Sequence, residues 1–266
     1  MTAAEESFRA GDLGAALQGL QAQIRQQPAD VKLRVFLAQL LMVGGQWDRA
    51  LTQLQVVEEM DSQSLPMVRT YQRAIQCERL RTSVFAGERA PLLLGEPEPW
   101  LALLIQSVGL HGKGRLEQAA QLRAQAFAEA PETSGTLNGE RFAWLADGDS
   151  RLGPVLEVLL NGNYYWVPVH RIRAVTLQAP EDIRDLVWMP ATFVWTNDGD
   201  AMGLIPTRYP YTEDSAGDAL RLSRKTEWTE PSSDCYVGIG QRVLVTDTSE
   251  TGLLQVRELN FDVPAA

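Results

Sequence analysis

The chain is poor in the residues that carry most protein chemistry. It has two cysteines and two histidines among 266 residues. Cys77 and Cys235 fall one in each half, too few for a disulfide framework, which points to a reducing compartment. His111 and His170 lie about 60 residues apart with no Cys or second His beside either, whereas a zinc site needs closely spaced ligands. His170 stands between an expected strand and Arg171, the place of a surface or interfacial histidine. Excess positive charge is missing too. With 24 basic and 34 acidic residues, a net charge of −10 and a pI near 4.8, no nucleic-acid surface is expected. No apolar run reaches the roughly 18 residues of a membrane span. The first residues, MTAAEESFRAGDLGAALQ, carry acids where a secretion signal needs bases, so a cytoplasmic protein is expected. P-loop and G-x-S-x-G motifs are absent. Gly238-Ile239-Gly240 opens a dinucleotide pattern, but Val243 holds its third glycine position.

What is present is ordinary globular material in two unlike halves. At 45% hydrophobic and 22% charged, the chain can bury a core, and its length allows two domains. Residues 1–135 carry 13 basic and 15 acidic residues, and residues 136–266 carry 11 and 19. The acidity gathers in the second half, as a solvated face or as a surface for a basic partner.

In the first half Gly11, Ala16 and Leu20 recur as Gly45, Ala50 and Leu54, each 34 residues on. That is the period of the tetratricopeptide (TPR) helix-turn-helix unit. Glycine permits the tight turn between paired helices, and alanine lets them approach closely. Pro28 ends the first unit. Gly114, Ala119, Ala126 and Pro131 make a partial third copy, with a less marked helical stretch from Met67 to Arg89 before it. The pattern predicts roughly three and a half helix pairs, broken at Pro91–Pro99. Arrays of this kind expose a concave face, on which Lys32, Val35, Gln39 and Met42 form a partner-binding groove. That groove either takes a peptide of another protein or packs against the chain's own second domain.

Thr133–Glu140 reads as a linker, rich in Gly, Ser, Thr and Asn. Strands are then expected at Val155–Leu160, Tyr164–Val169, Ala174–Leu177, Val187–Trp195, Met202–Ile205, Arg242–Thr246 and Leu253–Leu259. Asn161-Gly162 and Asp198-Gly199 are hairpin turn signals, and a five-residue loop would join the last two strands. Short helices are expected near Glu181–Leu186 and Gly217–Arg224. The expected fold is α + β in two domains. Residues 1–135 form a TPR-like α-α superhelix, and residues 136–266 form a small strand-rich antiparallel β or α+β domain.

Two acidic groups are candidates for chemistry: Asp147, Asp149 and Glu157, and then Glu181, Asp182 and Asp185. Paired carboxylates serve acid–base catalysis or divalent metals, which keeps a hydrolase or metal-dependent enzyme open. Yet Arg151 lies beside the first group and Arg184 beside the second, and a guanidinium fork suits a carboxylate. The simpler account is structural, with no catalytic, cofactor or metal residues. Asp147, Asp149, Arg151, Tyr164, Trp166, Arg184, Asp185 and Trp188 then form the seam between the domains.

The stretch DSRLGPVLEVLLNGNYYWVPVHRI resembles the ImpE/TagJ family of type VI secretion accessory proteins. The likeness continues through IRDLVWMPA (Ile183–Ala191), LIPTRYP (Leu204–Pro210), RKTEW (Arg224–Trp228) and YVGIGQRVLVTD (Tyr236–Asp247). The resemblance implies a non-enzymatic cytoplasmic adaptor. It also implies binding to the N-terminal segment of the small contractile-sheath subunit and a link to the AAA+ ATPase ClpV, which disassembles the sheath. A scaffold for unrelated partners is the remaining alternative.

Overall fold

Local sequence decides where the helices begin. Thr2 and Glu5 make a capping box before α1 (Ala3–Ala10). Asp12 caps α2 (Leu13–Gln26), and Asp30 caps α3 (Val31–Val43) by accepting from the Lys32 and Leu33 N–H groups. α4 (Trp47–Met60) and the long α5 (Leu65–Phe85) follow, then α6 (Pro99–Gly112), with proline in its first turn, and α7 (Leu116–Glu129). Gly11, Gly45 and Gly114 have φ of +91°, +67° and +74°. They make the same left-handed turn in three helix pairs, and α5 is the unpaired helix in the less marked stretch. This computed structural model describes residues 2–215 and 217–263 of the chain.

Fourteen strands are present among the described residues. They are β1 (Leu92–Leu93), β2 (Gly135–Leu137), β3 (Glu140–Phe142), β4 (Leu145–Asp147), β5 (Val155–Leu160), β6 (Asn163–Pro168) and β7 (Ile172–Leu177). β8 (Trp188–Trp195), β9 (Asp200–Pro206), the short helix α8 (Asp218–Arg221), β10 (Thr226–Ser232) and β11 (Cys235–Gly240) come next. β12 (Val243–Thr246), β13 (Glu250–Gly252) and β14 (Glu258–Phe261) complete the series. Nine strands form one sheet in the order β1-β6-β5-β9-β8-β7-β14-β2-β3. β10 and β11 make a separate ribbon, and β13-β12-β4 a third small sheet. Every pairing is antiparallel except β1 with β6.

Several expectations change at this level. Thr133–Glu140 is no free linker, because β2 and β3 turn at Asn138-Gly139 and close one edge of the large sheet. The break at Pro91–Pro99 contains β1, so the helical half contributes the strand at the opposite edge. β12 pairs with β13, which lies inside the expected loop, and Leu253–Gln255 is a 3-10 turn rather than strand. Leu253 and Val256 are both fully buried three residues apart, a spacing that a turn sends inward and a strand cannot. Asn161 and Gly162 both have positive φ, as expected, whereas in the β8–β9 turn only Asp198 does.

The alternation along β5 explains how the halves meet. Val155 and Leu159 join the helices in one core, while Leu156, Val158 and Leu160 enter a second core on the far side of the sheet. The first core runs from Ala4 through the helices to Trp166, Trp188 and Leu222. Between Val155 and Leu159, on the helix-facing side, stands a carboxylate: Glu157, with no exposed surface.

Candidate functional site

α5 turns one face to the sheet, and that face changes character along its length. Tyr71, Ala74, Glu78, Arg81 and Phe85 follow each other at helical spacing, all buried. Two charges therefore replace apolar residues where α5 crosses β5 and β6. Arg81 grips Glu157 with both arms, Nε to Oε1 at 2.7 Å and Nη2 to Oε2 at 2.9 Å. Its Nη2 also donates to the Arg208 carbonyl at 2.8 Å. Glu78 accepts from Trp188 Nε1 at 2.7 Å and from Arg81 Nη1 at 3.3 Å. Arg242, with no exposed surface, donates to both Glu157 and Asp147 and sends Nε to the Pro206 carbonyl at 2.9 Å. Tyr164 donates to Glu157 and accepts from Trp166 Nε1 at 2.7 Å.

The network continues through Asp147, which accepts from Tyr209 Oη at 3.0 Å and from the Asp149 N–H at 2.8 Å. Asp149 receives Arg151 through Nε (2.9 Å) and Nη2 (2.6 Å), with the Gly238 N–H at 3.1 Å. Arg151 lies over the Phe85 ring, 4.7 Å from its centre. Charges this deep are tolerated only when every lone pair and proton has a partner. Burial is the largest influence on Glu157 and favours its neutral form, yet Arg81 and Arg242 together overcome it and hold the carboxyl at about 2. Asp147 goes the other way. Burial pushes it up to about 6, with Arg242 pulling against the rise and Asp149 adding to it.

Six of the expected seam residues therefore meet in or against this network: Asp147, Asp149, Arg151, Tyr164, Trp166 and Trp188. Arg184 and Asp185 do not join it. They pair with each other at 2.8 Å on the 3-10 turn Ile183–Leu186, with Arg184 beside the Tyr71 ring. The expected match of Arg151 to the whole first acidic group is corrected as well. Arg151 takes Asp149 alone, because Glu157 faces α5 and is claimed by Arg81 and Arg242. Sequence reading missed Glu78, Arg81 and Arg242. The signal for the first two was a charged pair on the apolar face of α5.

Two further arginines dock the repeat turns. Arg208 donates to the Met42 and Val43 carbonyls (3.4 and 2.7 Å), capping the C-terminal end of α3. Arg224 does the same for α1 at the Phe8 and Arg9 carbonyls (3.2 and 2.9 Å). Both cations complement the negative end of a helix dipole.

The expected groove residues divide. Lys32, Val35 and Gln39 line a cleft of about 700 Å³ between α1 and α3, with Phe8, Phe36, Val31 and Leu33 supplying apolar wall. Phe8 and Phe36 stand edge to face, 6.2 Å apart at 89°. Met42 is fully buried and does not reach the cleft, because the C-terminal turn of α3 is covered by the second half. Gln39 is also buried, its amide spent on Tyr71 Oη (3.2 Å) and Asp182 Oδ1 (2.7 Å). The chain's own 3-10 turn thus closes one end of the cleft and leaves the end at Lys32 and Val35 open.

In the second acidic group, Asp182 caps the 3-10 turn and Asp185 accepts from Arg184 and from two backbone N–H groups. Glu181 is exposed beside them in a cleft of about 590 Å³. Among the described residues, no group of three or more His, Cys, Asp or Glu side chains converges to hold a metal ion. No helix there is long and apolar enough to cross a membrane.

Comparison with known proteins agrees with this architecture. The family described as ImpE protein matches residues 139–260, and a tetratricopeptide repeat matches residues 7–75. The type VI secretion system accessory component TagJ of Pseudomonas aeruginosa is 51% identical over 259 residues, covering 97% of this chain and 91% of that protein. A crystal structure of a Vibrio parahaemolyticus protein superposes with a TM-score of 0.88 at 26% identity, covering 97% of each chain.

Proposed function

Since the chain belongs to the ImpE/TagJ family of type VI secretion accessory components, we propose that it is a non-enzymatic adaptor of that machine, acting in the cytoplasm. It holds the N-terminal segment of the small contractile-sheath subunit in the cleft between α1 and α3. Through a second surface it links the sheath to the ClpV-type AAA+ ATPase that takes it apart. The observation that carries this reading is the cleft itself. Its Phe8–Phe36 pair, Val31 and Val35 offer an apolar floor, and Glu5, Arg9, Lys32 and Asp61 a charged rim. That arrangement suits an amphipathic helix laid in by its apolar face. The absence of catalysis is supported by the way arginines, tyrosines and backbone donors saturate the carboxylates of the seam.

Titrating the purified protein with the sheath subunit's N-terminal peptide tests the proposal. Binding tighter than roughly 100 μM is expected, since a specific contact exceeds about −5 kcal/mol. Val35→Asp, at a partly buried position packed against the first core, should weaken binding about tenfold while lowering the melting temperature only modestly. No binding at that concentration, or binding indifferent to Val35→Asp, overturns the assignment.

A further inference from the structure

The ribbon of β10 and β11 has one edge occupied and one edge free. On β11 the Tyr236 N–H donates to Ser150 Oγ at 2.9 Å, and its carbonyl accepts from the Ser150 N–H at 2.8 Å. Gly238 N–H donates to Asp149 Oδ2 at 3.1 Å, and Gly240 N–H to Thr212 Oγ1 at 2.9 Å. Backbone groups alternate in direction along a strand, so Tyr236, Gly238 and Gly240 spend theirs on the body of the protein. Val237 and Ile239 then turn theirs toward β10, opposite Thr229 and Glu227. By the same alternation Trp228 aims its N–H and C=O groups away from β11, and Glu230 follows where the register shifts; among the described residues no backbone hydrogen bond from outside the ribbon meets either. Pro231, which has no N–H to give, falls on the β11 side, where the register shifts between Thr229 and Ser232.

Exposure and charge say what fits this edge. Every residue from Glu227 to Pro231 is exposed, although the two faces of the strand alternate. Between Thr226 and Gly240 there are three carboxylates and no lysine or arginine. Glu227 shares Lys225, and the Glu230 and Asp234 carboxylates make no salt bridge among the described residues, although Arg123 of α7 donates to the Asp234 backbone carbonyl at 3.2 Å. Trp228 and Tyr236, 39% and 48% exposed, lie on the same ribbon face, where an arginine or lysine can meet both an aromatic ring and a carboxylate. A second copy of the chain is the wrong occupant, since edge-to-edge pairing would set the same acids against each other.

We propose that the free edge of β10 is a docking site for an extended, basic segment of a partner protein, which adds as a third strand beside Trp228 and Glu230. The site is separate from the cleft between α1 and α3 and goes beyond the function assigned to that cleft. It is tested on the full chain with a short probe peptide of alternating arginine and valine, by fluorescence anisotropy and amide hydrogen exchange. The probe should bind and slow exchange at Trp228 and Glu230 about tenfold or more. The triple variant Glu227→Gln, Glu230→Gln, Asp234→Asn should weaken binding about tenfold. A variant with the same charge change at exposed positions elsewhere, Glu6→Gln, Glu58→Gln, Glu59→Gln, should bind as wild type does. The proposal is overturned if the probe does not bind or if both variants lose affinity equally. An alternating glutamate–valine probe binding as well would overturn it too, as would protection of β10 that rises with protein concentration alone.

Discussion

Glu157 is the residue on which the seam depends most. It is the common anion of Arg81, from the helical half, and Arg242, from the strand-rich half. Glu157→Gln keeps the shape and leaves two buried cations short of a partner, at a cost of about 3–5 kcal/mol. Urea unfolding should show it as a shifted midpoint with little change in slope. Arg151→Ala should also lower stability, by loosening Asp149 and uncovering Phe85. The same carboxylates set the pH response. Glu157 titrates at about 2 against an ordinary 4.5, so the stability it contributes is present above 4.5 and lost as pH falls toward 2. Asp147 at about 6 is raised from 3.8, so its contribution is present below 3.8 and lost as pH rises through 6. Melting temperatures across that range should show both arms, and Asp147→Asn should remove only the upper one.

Among the elements, the repeat turns give a matched comparison. Gly45 and Gly114 share a left-handed backbone, but a methyl group on Gly45 would lie 2.3 Å from Glu213 Cβ, and one on Gly114 meets nothing within 4 Å. Gly114→Ala should therefore cost only backbone strain, about 1 kcal/mol. Gly45→Ala should cost about 1–3 kcal/mol more, because the loop carrying Glu213 must shift. The difference, read by thermal or urea unfolding, reports how firmly the second half clasps this turn. Gly45 was legible in the sequence because it repeats Gly11 at 34 residues and a φ requirement coincides; Gly114 was legible because it keeps the same offset to its alanine, Ala119. The strands β5 to β9 were legible for the same kind of reason, since period-two patterning and turn residues agreed. β1, β2, β3, β4 and β13 were not, and neither were β10 and β11. The first five run two or three residues each, too short to show a period, and are strands only because a neighbouring edge was waiting for them. β10 and β11 are seven and six residues long, but β10 is polar apart from Trp228 and carries Pro231, and β11 is interrupted by Gly238 and Gly240.

Across the whole molecule, the long-range partners of the seam could not be read, although the local pair Arg151–Asp149 could. Arg81 and Glu157 are 76 residues apart, and Glu157 and Arg242 a further 85, so no local pattern joins them. Because one core and one charge network span both halves, the chain should unfold in a single transition. Tryptophan fluorescence and far-ultraviolet circular dichroism should then give coincident curves. Two separated transitions would show that the halves hold themselves up independently. Residues 1–135 expressed alone should be aggregation-prone, because Glu78, Arg81 and the apolar face around them would lie open.

The distance between those partners also has a meaning in time. A ribosome adds roughly 5–20 residues per second. Arg81 therefore waits several seconds for Glu157 to emerge, and Glu157 waits several more for Arg242. During translation the helices can form one after another, yet Arg81 has only Glu78 beside it until β5 brings Glu157, and Glu157 lacks its second cation until Arg242 arrives just ahead of β12. A chain whose synthesis stops after Leu160 would hold Glu157 against Arg81 without Arg242.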